Sequence, residues 1–379
     1  MRSTSHPGNV LHPPLGERPL YTGAEPSTCY GDSCGALRML TRLARMTACV
    51  VTLAMMAACQ SSAGDVQRSA DSDTGTTQPG TNRPGDGAGI DVGQGPCCLV
   101  VRDDGVWVMN LRDETIQRID PDTNEPDEPI DVSPLYRMID AGENMLLEGD
   151  DSVTLFDPET AKVGQSIAVE GGVRGMVYDS MRNTAWVGSA TDGTLIGIDA
   201  ESGRVDDTLT IDGLPNGGDL VMTGNNELWV ATFDGEILKV DLAERSVVTR
   251  LRRFVGNEVS IAAAGGYLWA TSVEQSTLSR INPDTGQVVE RGDIDAADAG
   301  FPGLATSPDG TLWVAAAPDR IEERDPQTGQ TLKSYELPVP EGVDPNTYYR
   351  GGITTGFGSV WATIFDEFYE DDAVVRLER

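Results

Sequence analysis

Apolar and polar positions along this chain change period twice. From Met1 to Arg38 no apolar periodicity is visible among the many Pro, Gly, Ser and Thr residues. Thr47 to Ala58 is then an uncharged, mostly apolar run preceded by Arg42 and Arg45. From Ile90 onward, short apolar runs alternate with Gly/Asp/Asn/Pro turns, the pattern of strands joined by tight turns. All six tryptophans fall in one local pattern: Val106-Trp107-Val108, Ala185-Trp186-Val187, Leu228-Trp229-Val230, Leu268-Trp269-Ala270, Leu312-Trp313-Val314 and Val360-Trp361-Ala362. The first gap is double, and Met145-Leu146-Leu147 stands at its middle. Seven copies with a period of about 42 residues predict a seven-bladed β-propeller of four-stranded blades, an all-β fold.

Each copy repeats one grammar. An apolar strand such as Leu220-Val221-Met222 precedes the Trp strand, and a third strand ends in an acid or amide, as in Val240-Asp241 or Ile281-Asn282. Turns such as Asn282-Pro283-Asp284-Thr285-Gly286 lead to the fourth strand: the amide bonds its own backbone, Pro fixes φ, and Gly takes positive φ. These aspartates read as turn formers, and the tryptophans as filling between blades. The seventh copy lacks a fourth strand, while Ile90-Asp91-Val92 stands before repeat one as Ile130-Asp131-Val132 stands before repeat two. The N-terminal strand is therefore expected to complete the last blade and close the ring. The grammar resembles that of the streptogramin lyase (virginiamycin B lyase) and YVTN-repeat propeller superfamily, over about Ile90 to Arg379. That resemblance implies a seven-bladed propeller, and in the lyases a histidine acid/base beside Mg²⁺ at the propeller centre. This chain departs from the family there.

The N-terminal pattern reads as an address. The run Met56-Ala57-Ala58-Cys59 resembles the lipobox of bacterial lipoprotein signal peptides, with Arg42 and Arg45 as the charged region before it. The resemblance implies cleavage before Cys59 and acylation of its thiol. The expected organisation is 1–38 as an upstream extension or a disordered segment, with Met39 the better start. It continues with 39–58 as the signal peptide, 59–89 as a disordered tether and 90–379 as the propeller. Ser61 to Gly89 carries one large apolar residue, Val66, and cannot offset its ordering entropy. The expected location is the cell envelope, lipid-anchored on the extracytoplasmic face, with inner or outer membrane left open.

Charge narrows the chemistry. With 60 Asp+Glu against 28 Lys+Arg, the formal net charge is −32. Nucleic acid is excluded as a partner, because phosphate binding needs clustered basic residues. Anionic lipid would repel the chain, so membrane contact is expected through the anchor alone. The only histidines are His6 and His12, ahead of the cleavage site, which leaves the mature chain without a Ser-His-Asp triad or a His-ligated zinc.

Three long loops in repeats five to seven are expected to form one acidic, aromatic rim on a single face. They contribute Asp293, Asp295 and Asp298; Tyr348, Tyr349 and Arg350; and Asp366, Glu367, Phe368, Tyr369, Glu370, Asp371 and Asp372. The alternative reading is a solvated charge run. Arg137, Arg174 and Arg350 occupy matching positions before strand one of their repeats, so they should converge on the channel mouth, to meet an anionic ligand or pair with nearby acids. No cofactor is expected, although clustered carboxylates would suit Ca²⁺ or Mg²⁺. Cys97 and Cys98 stand at the start of repeat one as a vicinal disulfide, two reduced thiols, or an intermolecular bridge. The inventory favours a ligand- or protein-binding module; the other class is a metal-dependent lyase or lactonase of the resembled type, working without the family histidine.

Overall fold

In the computed structural model the described residues are 89–379, apart from 133–135, 192, 213, 215–217, 225, 233–234, 253–258, 273–275, 295–302, 308, 318, 339–347 and 367–371. Among them the elements are all strands, arranged as seven four-stranded antiparallel sheets. No helix among the described residues is long and apolar enough to cross a membrane. The inner strands are, in blade order, Pro96–Arg102, Arg137–Ala141, Val173–Asp179, Asp219–Gly224, Val259–Ala264, Leu304–Thr306 and Tyr348–Gly356. Each touches its two neighbours around the ring, including the first against the last.

Closure occurs as the repeat grammar requires. The strand Gly89–Asp91 pairs antiparallel with Ala373–Glu378, placing Ile90 opposite Val374. Ile90 is only 5% exposed, packed with Val106, Val108, Ile119, Trp361 and Val374. One apolar residue thus ties blade 7 to blade 1, and the last sheet has no open outer edge on the Ala373–Glu378 strand.

The core lies between the blades. Among the described residues seven buried clusters occur, and six contain one tryptophan laid against the next blade. Trp229 of blade 4, for example, is fully buried against Ile261, Leu268 and Ile281 of blade 5. The seventh cluster, between blades 2 and 3, has Leu146 where the others have tryptophan. A sheet buries both faces only when each neighbour supplies a complementary surface, so the ring rather than the single blade is the packed unit.

The turns hold the strands in phase. Asp325 Oδ1 accepts the backbone N–H groups of Gln327 and Thr328 at 2.9 and 2.7 Å, and Gly329 takes φ of +71°. A Cβ at Gly329 would also lie 2.8 Å from the Trp269 ring, so the turn glycine admits the neighbouring blade's tryptophan. Asp120, Asp157, Asp199 and Asn282 repeat the arrangement. Donated hydrogen bonds hold the Asp120, Asp157, Asp199 and Asp325 carboxyls below the usual range, which identifies them as turn acids.

Candidate functional site: the channel end where the inner strands begin

Inner strands of a propeller start on one face, beside the turns that end the second strands. On that face blade 2 places Arg137 directly across from Glu148, the last residue of its second strand. Arg137 Nε lies 3.9 Å from Glu148 Oε2, and its Nη1 lies 3.5 Å from Asp219 Oδ1, the first residue of blade 4's inner strand. Asp219 Oδ2 accepts the N–H of Ile261 in blade 5 at 3.0 Å. Arg174, on the intervening blade 3, is exposed and adds its charge to the field at Glu148. Charged side chains from blades 2, 3 and 4 are therefore gathered here, and a backbone N–H of blade 5 holds one of them.

A backbone irregularity makes room for them. The pairing of blade 3's first two strands shifts between Val173 and Met176, and Gly175 takes φ of +84°. A Cβ there would sit 1.9 Å from Gly218 O, so only glycine lets blades 3 and 4 approach this closely. The freed Gly175 N–H donates to the Glu148 carboxyl.

The electrostatics are those of an enclosed cluster. Burial pushes the Glu148 carboxyl above its ordinary value and outweighs the attraction of Arg137 and Arg174. Asp219 is pushed up for the same reason, against the pull of Arg137. Burial also works against the Arg137 charge, but Asp219 and Glu148 together raise its pKa, and it stays a cation. Glu148 is 8% exposed, and its Oε2 accepts no hydrogen bond. Arg137 and Asp219 keep 39% and 30% of their side-chain surface open. The arrangement can bind charge, and it offers a guanidinium and an acid to whatever enters.

Cys97 and Cys98 begin blade 1's inner strand on the same face. They are two separate, half-buried thiols with Sγ atoms 3.3 Å apart. The hydrogen bond from Cys97 holds the Cys98 thiol below its usual range, aided by the Arg137 charge.

The expected rim is placed in part. Asp293 ends the outer strand of blade 5 and is exposed. Tyr348, Tyr349 and Arg350 begin blade 7's inner strand, and Asp366 ends its second, with Tyr348 paired to Asp366 and Arg350 to Ile364. What the sequence presents as loop is here a continuation of the hairpin, whose strands of 9 and 8 residues exceed those of the other blades. Asp372 Oδ2 accepts the Gly95 N–H at 2.6 Å, so this acid pins the turn between the closing strand and blade 1. Asp295, Asp298, Glu367, Phe368, Tyr369, Glu370 and Asp371 lie outside the described residues, as does Cys59. Of the three arginines, Arg137 and Arg174 share Glu148 as neighbour; Arg350 occupies the matching strand position in blade 7. Among the described residues no group of three or more His, Cys, Asp or Glu is placed to hold a metal ion.

Glu148 and Asp219 escape a reading by composition. Asp219 had a signal: it precedes Leu220-Val221-Met222 just as Arg137 precedes Met138-Ile139, an acid in the position where other repeats carry arginine. At the opposite end of the channel a cavity of about 440 Å³ lies among Leu99, Val101, Met138, Asp140, Thr306 and Thr355. Asp140 also accepts a hydrogen bond from Arg102 that joins blades 1 and 2.

Comparison with known proteins bears on the fold. Virginiamycin B lyase from Staphylococcus aureus superposes with a TM-score of 0.58 at 12% identity, covering 77% of this chain and 97% of that one. In fold, this chain is a seven-bladed β-propeller similar to that lyase. The computationally designed Ika8 protein is also similar, with a TM-score of 0.53 and 15% identity over 76% of this chain and 98% of its own. Residues 172–304 of this chain match a family described as a repeat of unknown function (DUF6923). No curated protein matches the sequence.

Proposed function

We propose that this streptogramin lyase-like propeller is a lipoprotein of the cell envelope. Cys59 anchors it on the extracytoplasmic face, and its propeller binds a protein or small-molecule ligand at the channel end bearing Arg137. The observation that carries the reading is the cluster of Arg137 with Glu148 and Asp219. A structural ion pair needs one acid and one base from adjoining elements. This cluster draws side chains from three blades and a backbone N–H from a fourth, and leaves Arg137 partly open to the channel, with Arg174 exposed beside it. An anionic group entering there meets two guanidinium ions and can displace an acid already disposed to take up a proton. The rim residues Asp293, Tyr348, Tyr349, Asp366, Glu367, Phe368 and Tyr369 would extend the surface with acidic and aromatic groups, which suit a cationic partner.

A second reading is supported by the fold likeness to virginiamycin B lyase: a metal-dependent lyase or lactonase. Here carboxylates would do the acid/base work, with Mg²⁺ or Ca²⁺ held by the acidic loops. A pull-down from envelope extracts separates the outcomes, using the wild type, Arg137→Ala/Arg174→Ala and Phe368→Ala/Tyr369→Ala at low and high ionic strength. Binding at this face is expected to fall in at least the arginine variant and to weaken with salt. Equal capture by all three proteins turns the reading down, and turnover of a lactone or cyclic depsipeptide only with added Mg²⁺ favours the enzyme.

A further inference from the structure

The two thiols at the start of blade 1 are not needed by the ionic cluster, yet they are held with precision. The pairing of blade 1's first two strands shifts between Pro96 and Cys98, which breaks the alternation of side chains and lets adjacent cysteines face one another. Gly352 of blade 7 backs onto them: a Cβ there would lie 3.0 Å from Cys97 O and 3.3 Å from Cys98 Cα. The backbone at the pair is thus clamped by the neighbouring blade. The Cys97 and Cys98 Sγ atoms lie within hydrogen-bond distance at 3.3 Å, the Met138 N–H points at Cys98 Sγ, and the Arg137 charge lies beside it. Glu148, whose enclosed Oε2 accepts no hydrogen bond, acts electrostatically on the same sulfur.

We propose that Cys97 and Cys98, as a dithiol, chelate one trivalent thiophilic centre, arsenic(III) or antimony(III), at this end of the channel. Geometry selects the class. With thiolate bonds of about 2.3 Å, sulfurs 3.3 Å apart subtend roughly 90° at a shared atom. Tetrahedral zinc needs a wider angle and further protein donors, and no group of three such donors exists among the described residues. Two-coordinate soft ions need sulfurs on opposite sides. A centre with a lone pair holds its bonds close to right angles and needs only two protein ligands. For arsenous acid, two As–S bonds form and two As–O bonds break. Each thiol proton leaves with a hydroxide as water, no electrons are transferred, and one As–OH remains. The inference stands on the thiol geometry and does not rest on the ligand reading above.

The full-length chain, reduced and checked by thiol titration, is treated with phenylarsine oxide and then with excess monothiol. Intact mass spectrometry is expected to find one more bound phenylarsenic group in the wild type than in Cys97→Ser/Cys98→Ser, which controls for the other cysteines. Peptide mapping should locate it at Cys97–Cys98, ethanedithiol should strip it, and arsenite should compete for it. Each single serine variant, with an unchanged melting temperature, should lose that group to monothiol. Equal loading of wild type and double variant, or retention by either single variant, overturns the proposal.

Discussion

At the scale of single residues, the molecule carries two populations of carboxylate with opposite tasks. Turn acids such as Asp325 and Asp157 are solvated and held low by donated hydrogen bonds, whereas Glu148 is enclosed, Asp219 is half-buried, and burial holds both high. For a buried acid whose folded pKa is raised, the ionised form is penalised at high pH, and the penalty is relieved as pH falls through that raised value. Glu148→Gln is therefore expected to be at least as stable as wild type near pH 8, and the gap should close on acidification. Thermal unfolding of both proteins between about pH 5 and 8 checks this. Asp309 has the opposite sign: Ser307 Oγ and Arg379 hold it low, so its contribution is present above the ordinary aspartate range and is lost in acid. Asp309→Asn should flatten the acid limb of the stability profile. Large apolar residues give the largest effects. Trp229 is wholly buried and donates Nε1–H to Thr223 Oγ1 at 3.1 Å. Trp229→Ala should cost about 3–5 kcal/mol in denaturant unfolding.

At the scale of elements, the repeat pattern carried most of the fold because one strand pair plus one turn encodes each blade. Trp107 to Trp361 mark the second strands, and Met145-Leu146-Leu147 keeps the phase where tryptophan is missing. The candidate site was legible only where a residue type stood out at a matching repeat position, as Arg137 and Arg174 did. Glu148 remained hidden because, beside Arg137 across the hairpin, it meets Gly175 and Arg174 of the next blade, and that meeting depends on the bulge at Gly175. Blade 7 was misread for a local reason: Tyr348-Tyr349-Arg350 looks like loop by length, but these residues pair with Ile364, Phe365 and Asp366 and prolong the hairpin. The closing strand is the element most open to trial. Deleting residues 89–91 removes the partner of Ala373–Glu378 and bares its edge. The melting temperature should fall and light scattering should rise on heating, while an unchanged profile would refute the closure scheme.

At the scale of the whole molecule, a formal charge of −32 repels itself across a ring only a few strands thick. Screening should relieve that strain, so the melting temperature is expected to rise with added sodium chloride over a range where the Debye length shrinks from about 30 to 10 Å. The same screening would weaken capture of a cationic partner, so stability and binding should move in opposite directions with salt. The cluster around Arg137 should be less sensitive than the rim, because enclosed charges are screened less than exposed ones.

The pairing of Ile90 with Val374 also makes the protein a test of its own completeness. The strand that opens the propeller has its partner in the propeller's last blade, so no partial propeller can shut the ring. Until then the unfinished chain presents a bare edge to whatever chaperone or protease is nearby. A premature stop or a slipped frame anywhere in between leaves that edge exposed for good. Contacts between such distant positions form slowly, and the delay lengthens the interval in which a defective copy can be removed.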